Sequence, residues 1–153
     1  MNTDSPSIEE KEIQPVLIAG MRMTAPYAEC GQGFKKICKQ FGRFMAGSPL
    51  LLCYDRDYQE VANYEVCVPL KRSPGKEYEE FSIRELEGGR CISLIHRGPY
   101  DQLSGPYESL KAYLAEHGQH AVMPTREIYL KGPGMFFKGN PKNYQTELQM
   151  FLG

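Results

Sequence analysis

Two glutamates sit at matching places on two short, alternating stretches. Tyr64-Glu-Val-Cys-Val-Pro-Leu70 and Thr146-Glu-Leu-Gln-Met-Phe-Leu152 align residue for residue, which puts Glu65 in register with Glu147. A carboxylate among apolar and aromatic neighbours can do two kinds of work. It can receive a delocalised cation, because Coulomb attraction grows as water is excluded and each aromatic face adds roughly 0.5–2 kcal/mol. It can also serve general acid–base chemistry, because desolvation raises its pKa. Two such groups reaching one groove from opposite sides could share a proton or clamp a cation. The ordinary alternative is a solvated glutamate on the wet face of a strand. For Glu147 the residues alone favour that alternative; for Glu65 the two readings stand level.

Aromatic residues surround these positions. The chain has ten tyrosines and no tryptophan, and tyrosine offers a large apolar ring with one polar handle. Tyr54 and Tyr129 fall on the middle strands of the two halves, and Tyr27 and Tyr100 on the corresponding turns. Tyr129 is the expected aromatic wall of a groove. Tyr27 and Tyr100 read as packing for the turns, and Tyr107, Leu110 and Leu114 as helix core. Phe136 and Phe137 lie on a Gly/Pro-rich loop over 131–143, as a lid, an interface or ordinary loop packing. No metal site is expected: His117 and His120 are too few and too loosely placed, and His96 reads as a strand-end residue. The five cysteines form no C-x-x-C pair. They read as reduced, mostly buried thiols with no base nearby in sequence.

The elements that must hold these groups come from an internal repeat. Tyr27 and Tyr100, Phe34 and Tyr107, Ile37 and Leu110, and Phe41 and Leu114 are each 73 positions apart. One structural unit is therefore used twice. In the first unit a strand over 12–23 leads to a turn at Thr24-Ala-Pro-Tyr27. A helix follows from about residue 31 to 41, with Phe34, Ile37, Cys38 and Phe41 on one stripe. Strands then cover 50–54 and 64–70. A charged linker, 71–80, carries Pro-Gly. In the second unit a strand covers 81–96, broken at Gly88-Gly89. A turn at 97–100 precedes a helix with Ser104 as N-cap, Pro106 in its first turn and Gly118 as its stop. Strands at 126–130 and 145–152 close the chain. The expected fold is α+β: a tandem duplication of a β-α-β-β unit with pseudo-two-fold symmetry, its curved antiparallel sheet covered by both helices on one face. Residues 1–11 are expected as a disordered tail and 12–153 as a single domain, with repeat one at 12–70 and repeat two at 81–152.

Composition bounds the function. At 153 residues the chain can build a proper core, and its 18 basic and 19 acidic residues leave no evident basic face for nucleic acid. The polar N-terminus lacks a signal core, and no apolar run approaches the roughly 18 residues that span a membrane. A cytoplasmic location is expected.

Arg97-Gly-Pro-Tyr100, Tyr107, Leu110, Tyr113 and Leu114, followed by Arg126-Glu-Ile-Tyr-Leu130 and Thr146-Glu-Leu148, resemble the GyrI-like effector-binding domain. That domain stands alone or forms the C-terminal half of AraC-type and MerR-type multidrug regulators, and is distantly related to the SOUL haem-binding domain. The resemblance covers about residues 12–152 and is most specific in the second half. It implies a tandem β-α-β-β fold, no cofactor, and a small hydrophobic or cationic ligand in a groove between the halves. The acidic anchor it implies falls on Glu147, supported by Glu65, and the aromatic walls on Tyr129, Tyr54, Phe137, Phe136, Tyr100 and Tyr27. Some stand-alone members hydrolyse cyclopropane-containing genotoxins; here Glu147, Tyr129 and Glu65 would then be catalytic. Others resemble gyrase inhibitors, which would make gyrase or a regulator the partner. No DNA reader fits before the first strand, so direct DNA binding is not expected.

Overall fold

The computed structural model describes residues 7–132 and 139–153. In chain order the elements are β1 (Ile8–Ile13), β2 (Val16–Ala25), α1 (Cys30–Phe41), β3 (Leu50–Cys53), β4 (Ala62–Pro69), β5 (Ser82–Leu86), β6 (Gly89–Arg97), α2 (Ser104–Glu116), β7 (Ala121–Lys131) and β8 (Gln145–Leu152). All eight strands join one sheet in the order β1-β6-β8-β7-β3-β4-β2-β5. Every pairing is antiparallel. The two middle strands, β7 and β3, come from different halves, so the repeat axis passes between them.

Each helix lies on its own half for a reason visible in its spacing. Ile37 and Phe41 of α1 pack with Leu51, Val66 and Val68, and Leu110 and Leu114 of α2 pack with Leu94, Leu148 and Met150. These are the i, i+4 positions of each helix meeting the alternate residues of each strand. One row of cross-strand partners shows that both helices cover the same face. Met21, Val66, Leu51, Glu127, Leu148, Leu94 and Ile8 are successive neighbours across seven strands. Six members of that row are apolar, and the seventh, at its centre, is Glu127.

Three boundaries depart from expectation. The expected strand over 12–23 is two strands broken at Gln14-Pro15. Residues 8–11, expected within a frayed tail, are paired: β1 lies along β6 with Ile8 opposite Leu94 and Lys11 opposite Cys91. Its charged outer residues suit an edge strand, where charge discourages further pairing, and hide it from a search for apolar alternation. The second-unit strand breaks in the same way at Glu87-Gly88, as the glycines suggested. The two breaks, 73 positions apart, lie against one another: a Cβ at Gly88 would meet the Ile13 carbonyl oxygen at 2.1 Å. Ser104 is not the N-cap of α2; Leu103 takes that place and no side chain caps the helix. Gly118 ends α2 in the left-handed region, φ +62°.

The sheet curls about its helix-free face, which holds a second apolar cluster of Ile18, Leu50, Leu52, Cys67 and Leu86. Arg126 of β7 is buried there; it donates to the Glu87 carbonyl at 2.7 Å and lies 4.2 Å from the Phe151 ring centroid. The five cysteines are free, and Cys53, Cys67 and Cys91 are buried.

Gly20 is set by close packing on this face. A Cβ at Gly20 would stand 2.1 Å from Glu65 Oε2, whereas one at Gly31 in α1 meets nothing within 4 Å. Gly20→Ala is expected to lower unfolding stability by about 1–3 kcal/mol, the usual cost of overpacking. Gly31→Ala should be neutral or stabilising by up to about 1 kcal/mol. Urea unfolding of both variants checks the contrast.

Candidate functional site

Among the described residues three glutamates are buried in the sheet, and their surroundings differ. Glu65, 1% exposed, takes hydrogen bonds from Arg84 at 2.7 and 2.8 Å and from the Tyr54 hydroxyl at 2.7 Å. Arg22 lies 3.9 Å from the Tyr54 ring centroid. Burial pushes the Glu65 carboxyl up, but the Arg84 and Tyr54 hydrogen bonds and the charges of Arg84 and Arg22 bring it below the usual carboxylate range. Glu147, 8% exposed, takes hydrogen bonds from Ser93 at 2.7 Å, Gln149 at 2.9 Å and Lys11 at 3.2 Å. Burial raises its carboxyl too, and the bonds from Gln149, Ser93 and Lys11 outweigh it, so it also ends below the ordinary value.

These two sites are repeat equivalents. Arg84 and Lys11 are 73 positions apart, as are Ser93 and Gly20. Where the second half has a hydroxyl donating to its glutamate, the first has a glycine that makes room for one. Both sites lie on the helix-free face. Each carboxylate is already held by a cation, Glu65 by Arg84 and Glu147 by Lys11.

Glu127 is different. It is 9% exposed and faces the helices at the centre of the sheet, between β8 and β3. The Tyr107 hydroxyl of α2 donates a short hydrogen bond to Oε2, and the Tyr129 hydroxyl donates to Oε1 at 2.8 Å. The Cys53 thiol lies 4.0 Å from Oε2. No basic side chain among the described residues forms an ion pair with it. Burial pushes the Glu127 carboxyl above the ordinary range; the hydrogen bonds from Tyr107 and Tyr129 offset only part of this. The carboxylate in turn helps burial to raise the Tyr107 and Tyr129 phenols and the Cys53 thiol.

Aromatic rings enclose the group. Phe34 of α1 meets Tyr129 edge-on at 5.6 Å, and Tyr100 meets Tyr129 at 5.4 Å and Tyr144 at 5.1 Å. Tyr27 stacks on Tyr64 at 5.3 Å and has the exposed Tyr58 at 6.4 Å. Tyr27 and Tyr100 belong to the single 3-10 turns that precede α1 and α2. Burial pushes Tyr100 up to about 12. The helices thus deliver Phe34 and Tyr107, repeat equivalents, to the two sides of Glu127, and the turns deliver Tyr27 and Tyr100.

The structure therefore divides the residues singled out in the sequence. Tyr129, Tyr27 and Tyr100 lie with Glu127 on the helix-covered face. Glu147, Glu65 and Tyr54 lie on the other. Phe136 and Phe137 lie outside the described residues. Tyr54 and Tyr129 are not equivalent: with Glu65 matched to Glu147, the strand registers match Leu52 to Ile128 and hence Cys53 to Tyr129. In the sequence Glu127 stands only as part of Arg126-Glu-Ile-Tyr-Leu130, and Tyr107 reads as helix core. A signal for Glu127 was present, since aligning Leu50-Leu-Leu-Cys53 with Arg126-Glu-Ile-Tyr129 sets a glutamate against the apolar Leu51 of the first repeat. His96 Nε2 lies 3.2 Å from the Pro99 carbonyl oxygen. Among the described residues no group of three or more His, Cys, Asp or Glu is placed to hold a metal, and no helix is long and apolar enough to cross a membrane.

The raised Glu127 carboxyl has a consequence for stability. The folded chain keeps a proton that the unfolded chain releases, so stability is fully present below the ordinary glutamate value, about 4.3. It then falls as pH rises through the raised one. In Glu127→Gln this part of the pH dependence should vanish. Denaturant unfolding measured at several pH values from about 4 upward reads the loss of slope directly.

Comparisons with known proteins place this arrangement in a family. The sequence profile of the GyrI-like small molecule binding domain matches residues 6–152. No curated protein matches the sequence. Among solved structures, the EcmrR C-terminal domain superposes with a TM-score of 0.81 at 21% identity, covering 97% of this chain and 98% of that one. The EcmrR chain in its DNA complex gives 0.85 at 20% identity, with 96% of this chain covered; the present chain spans only 57% of that longer one. A hydrolase encoded by lin2189 from Listeria innocua gives 0.66 at 13% identity, covering 98% and 94%. With a profile match over nearly its whole length and the fold of the EcmrR C-terminal domain, this chain belongs to the GyrI-like small-molecule-binding domain family.

Proposed function

We propose that this chain binds a lipophilic cation between α1 and α2, with the Glu127 carboxylate as counter-charge and Tyr129, Tyr107, Tyr100, Tyr27 and Phe34 as walls. The observation that carries this reading is a buried carboxylate held only by neutral donors. Two of the three buried glutamates have internal cations; the third lies among aromatic rings and lacks one among the described residues. A cation brought into that setting meets a charge poorly screened by water, and ring faces that attract it further. Tyr100, 37% exposed, is the ring of this group with most access to solvent, and its displacement opens the way to Tyr129 and Glu127. A further solved structure of this fold, SAV2435, is described as bound to tetraphenylphosphonium; it shares 17% identity with a TM-score of 0.63.

A second reading is hydrolysis of a reactive xenobiotic at the same place. The Tyr107–Glu127 hydrogen bond favours it, because a buried carboxyl paired with a phenol can pass a proton to a leaving atom. Turnover of a reactive electrophile that disappears in Glu127→Gln separates catalysis from binding alone.

Titration calorimetry with tetraphenylphosphonium tests the binding reading. Glu127→Gln should weaken binding tenfold or more, at least about 1.4 kcal/mol, while Glu65→Gln and Glu147→Gln leave affinity within about threefold, under about 0.7 kcal/mol. Equal binding by the wild type and Glu127→Gln overturns the assignment. The affinity also depends on pH, because the cation needs the charged carboxylate and must expel its proton. Below the raised Glu127 value the affinity should rise up to about tenfold per pH unit, with one proton released per cation bound. In Glu127→Gln any residual binding should be flat over the same range.

A further inference from the structure

Thr146 is the other anomaly of the helix-covered face. It is wholly buried, at 0% exposure, and its hydroxyl has no hydrogen-bond partner among the described residues. Buried hydroxyls nearly always find a partner, so an orphan in a folded protein calls for an explanation. Its position supplies one. On β8 it stands two residues before Leu148, which packs beneath α2, so it shares that face. Its cross-strand partners are Tyr129 on β7 and His96 on β6. The Tyr129 hydroxyl is committed to Glu127, and the His96 ring to the Pro99 carbonyl. Glu127 itself is the partner of Leu148. Thr146 and Glu127 are therefore diagonal neighbours on one face, roughly 7–8 Å apart.

We propose that Thr146 is a second polar contact of the ligand cradle, and that the ligand is a lipophilic cation bearing a hydroxyl or carbonyl oxygen. The inference rests on the cation-binding reading of Glu127 and narrows the class of ligand. A purely hydrocarbon onium ion would satisfy Glu127 and leave Thr146 as it is now. A cation with a suitably placed oxygen satisfies both. Displacing the half-exposed Tyr100 ring, which packs on Tyr129, leads toward both groups.

Two matched probes test this: tetraphenylphosphonium and the same ion with a para-hydroxyl on one ring. The wild type should bind the hydroxylated ion at least fivefold more tightly. Thr146→Val should abolish that preference, and Thr146→Ser should retain it. Thr146→Val should also melt no lower than the wild type, since it removes an unsatisfied hydroxyl. Equal binding of both ions by the wild type, with Glu127 still required, overturns the role of Thr146 and leaves the cradle standing. A preference that survives in Thr146→Val, or a marked drop in the melting temperature of that variant, overturns it as well. Binding of neither ion overturns the cradle and Thr146 together.

Discussion

A single carboxyl buried at the middle of an apolar row is the constraint around which this domain is arranged. Seven strands contribute one side chain each to that row, and six are apolar. Placing a charge there without a counter-ion is costly, and a lone carboxyl in such surroundings holds its proton instead. Two phenols make the position tolerable by donating to both oxygens. They come from different elements, Tyr107 from a helix and Tyr129 from the sheet, so satisfying Glu127 also fixes α2 against β7. Under the proposed function, the same neutral donors leave the carboxyl open to a guest that brings its own positive charge.

Duplication explains why that position is available. In this duplicated fold, β-β-α-β-β in each half, the two halves meet along β3 and β7, and the helices flank the seam. Side chains at the seam can be shared by both halves. The helix-free face uses the symmetry conservatively: each half holds one buried glutamate with one cation, Glu65 with Arg84 and Glu147 with Lys11. The helix-covered face uses it unequally. Leu51 faces Glu127 across the seam, and Phe34 in one helix corresponds to Tyr107 in the other. The asymmetry leaves one buried carboxyl with an oriented set of phenol donors at the seam.

Much of the architecture could be read from the repeat. The 73-residue offset relates both helices and both turns, and the glycines mark the break at Gly88, because helix stripes and turn residues have strong local signatures. The site was harder to read, for a reason that follows from strand geometry. Tyr54 and Tyr129 look alike on the middle strands of the two halves, but the strand registers match Tyr129 to Cys53. A slip of one residue along a strand moves a side chain to the other face. That slip put Tyr129 beside Glu65 and Glu147, when it lies with Glu127. The first strand was hidden because Ile8-Glu-Glu-Lys-Glu-Ile13 reads as a charged tail, and only its pairing to β6 gives it a shape. The cation partners of Glu65 and Glu147 were equally out of reach, since Arg84 and Lys11 approach from edge strands.

The most direct test of the account is infrared difference spectroscopy of the glutamate carboxyls with and without tetraphenylphosphonium, at a pH just below the raised Glu127 titration. The account predicts a protonated-carboxyl band in the empty protein, absent from Glu127→Gln, which is lost as the cation binds and is replaced by a carboxylate band. A cation that binds and leaves this band unchanged would contradict the claim that Glu127 is its counter-charge.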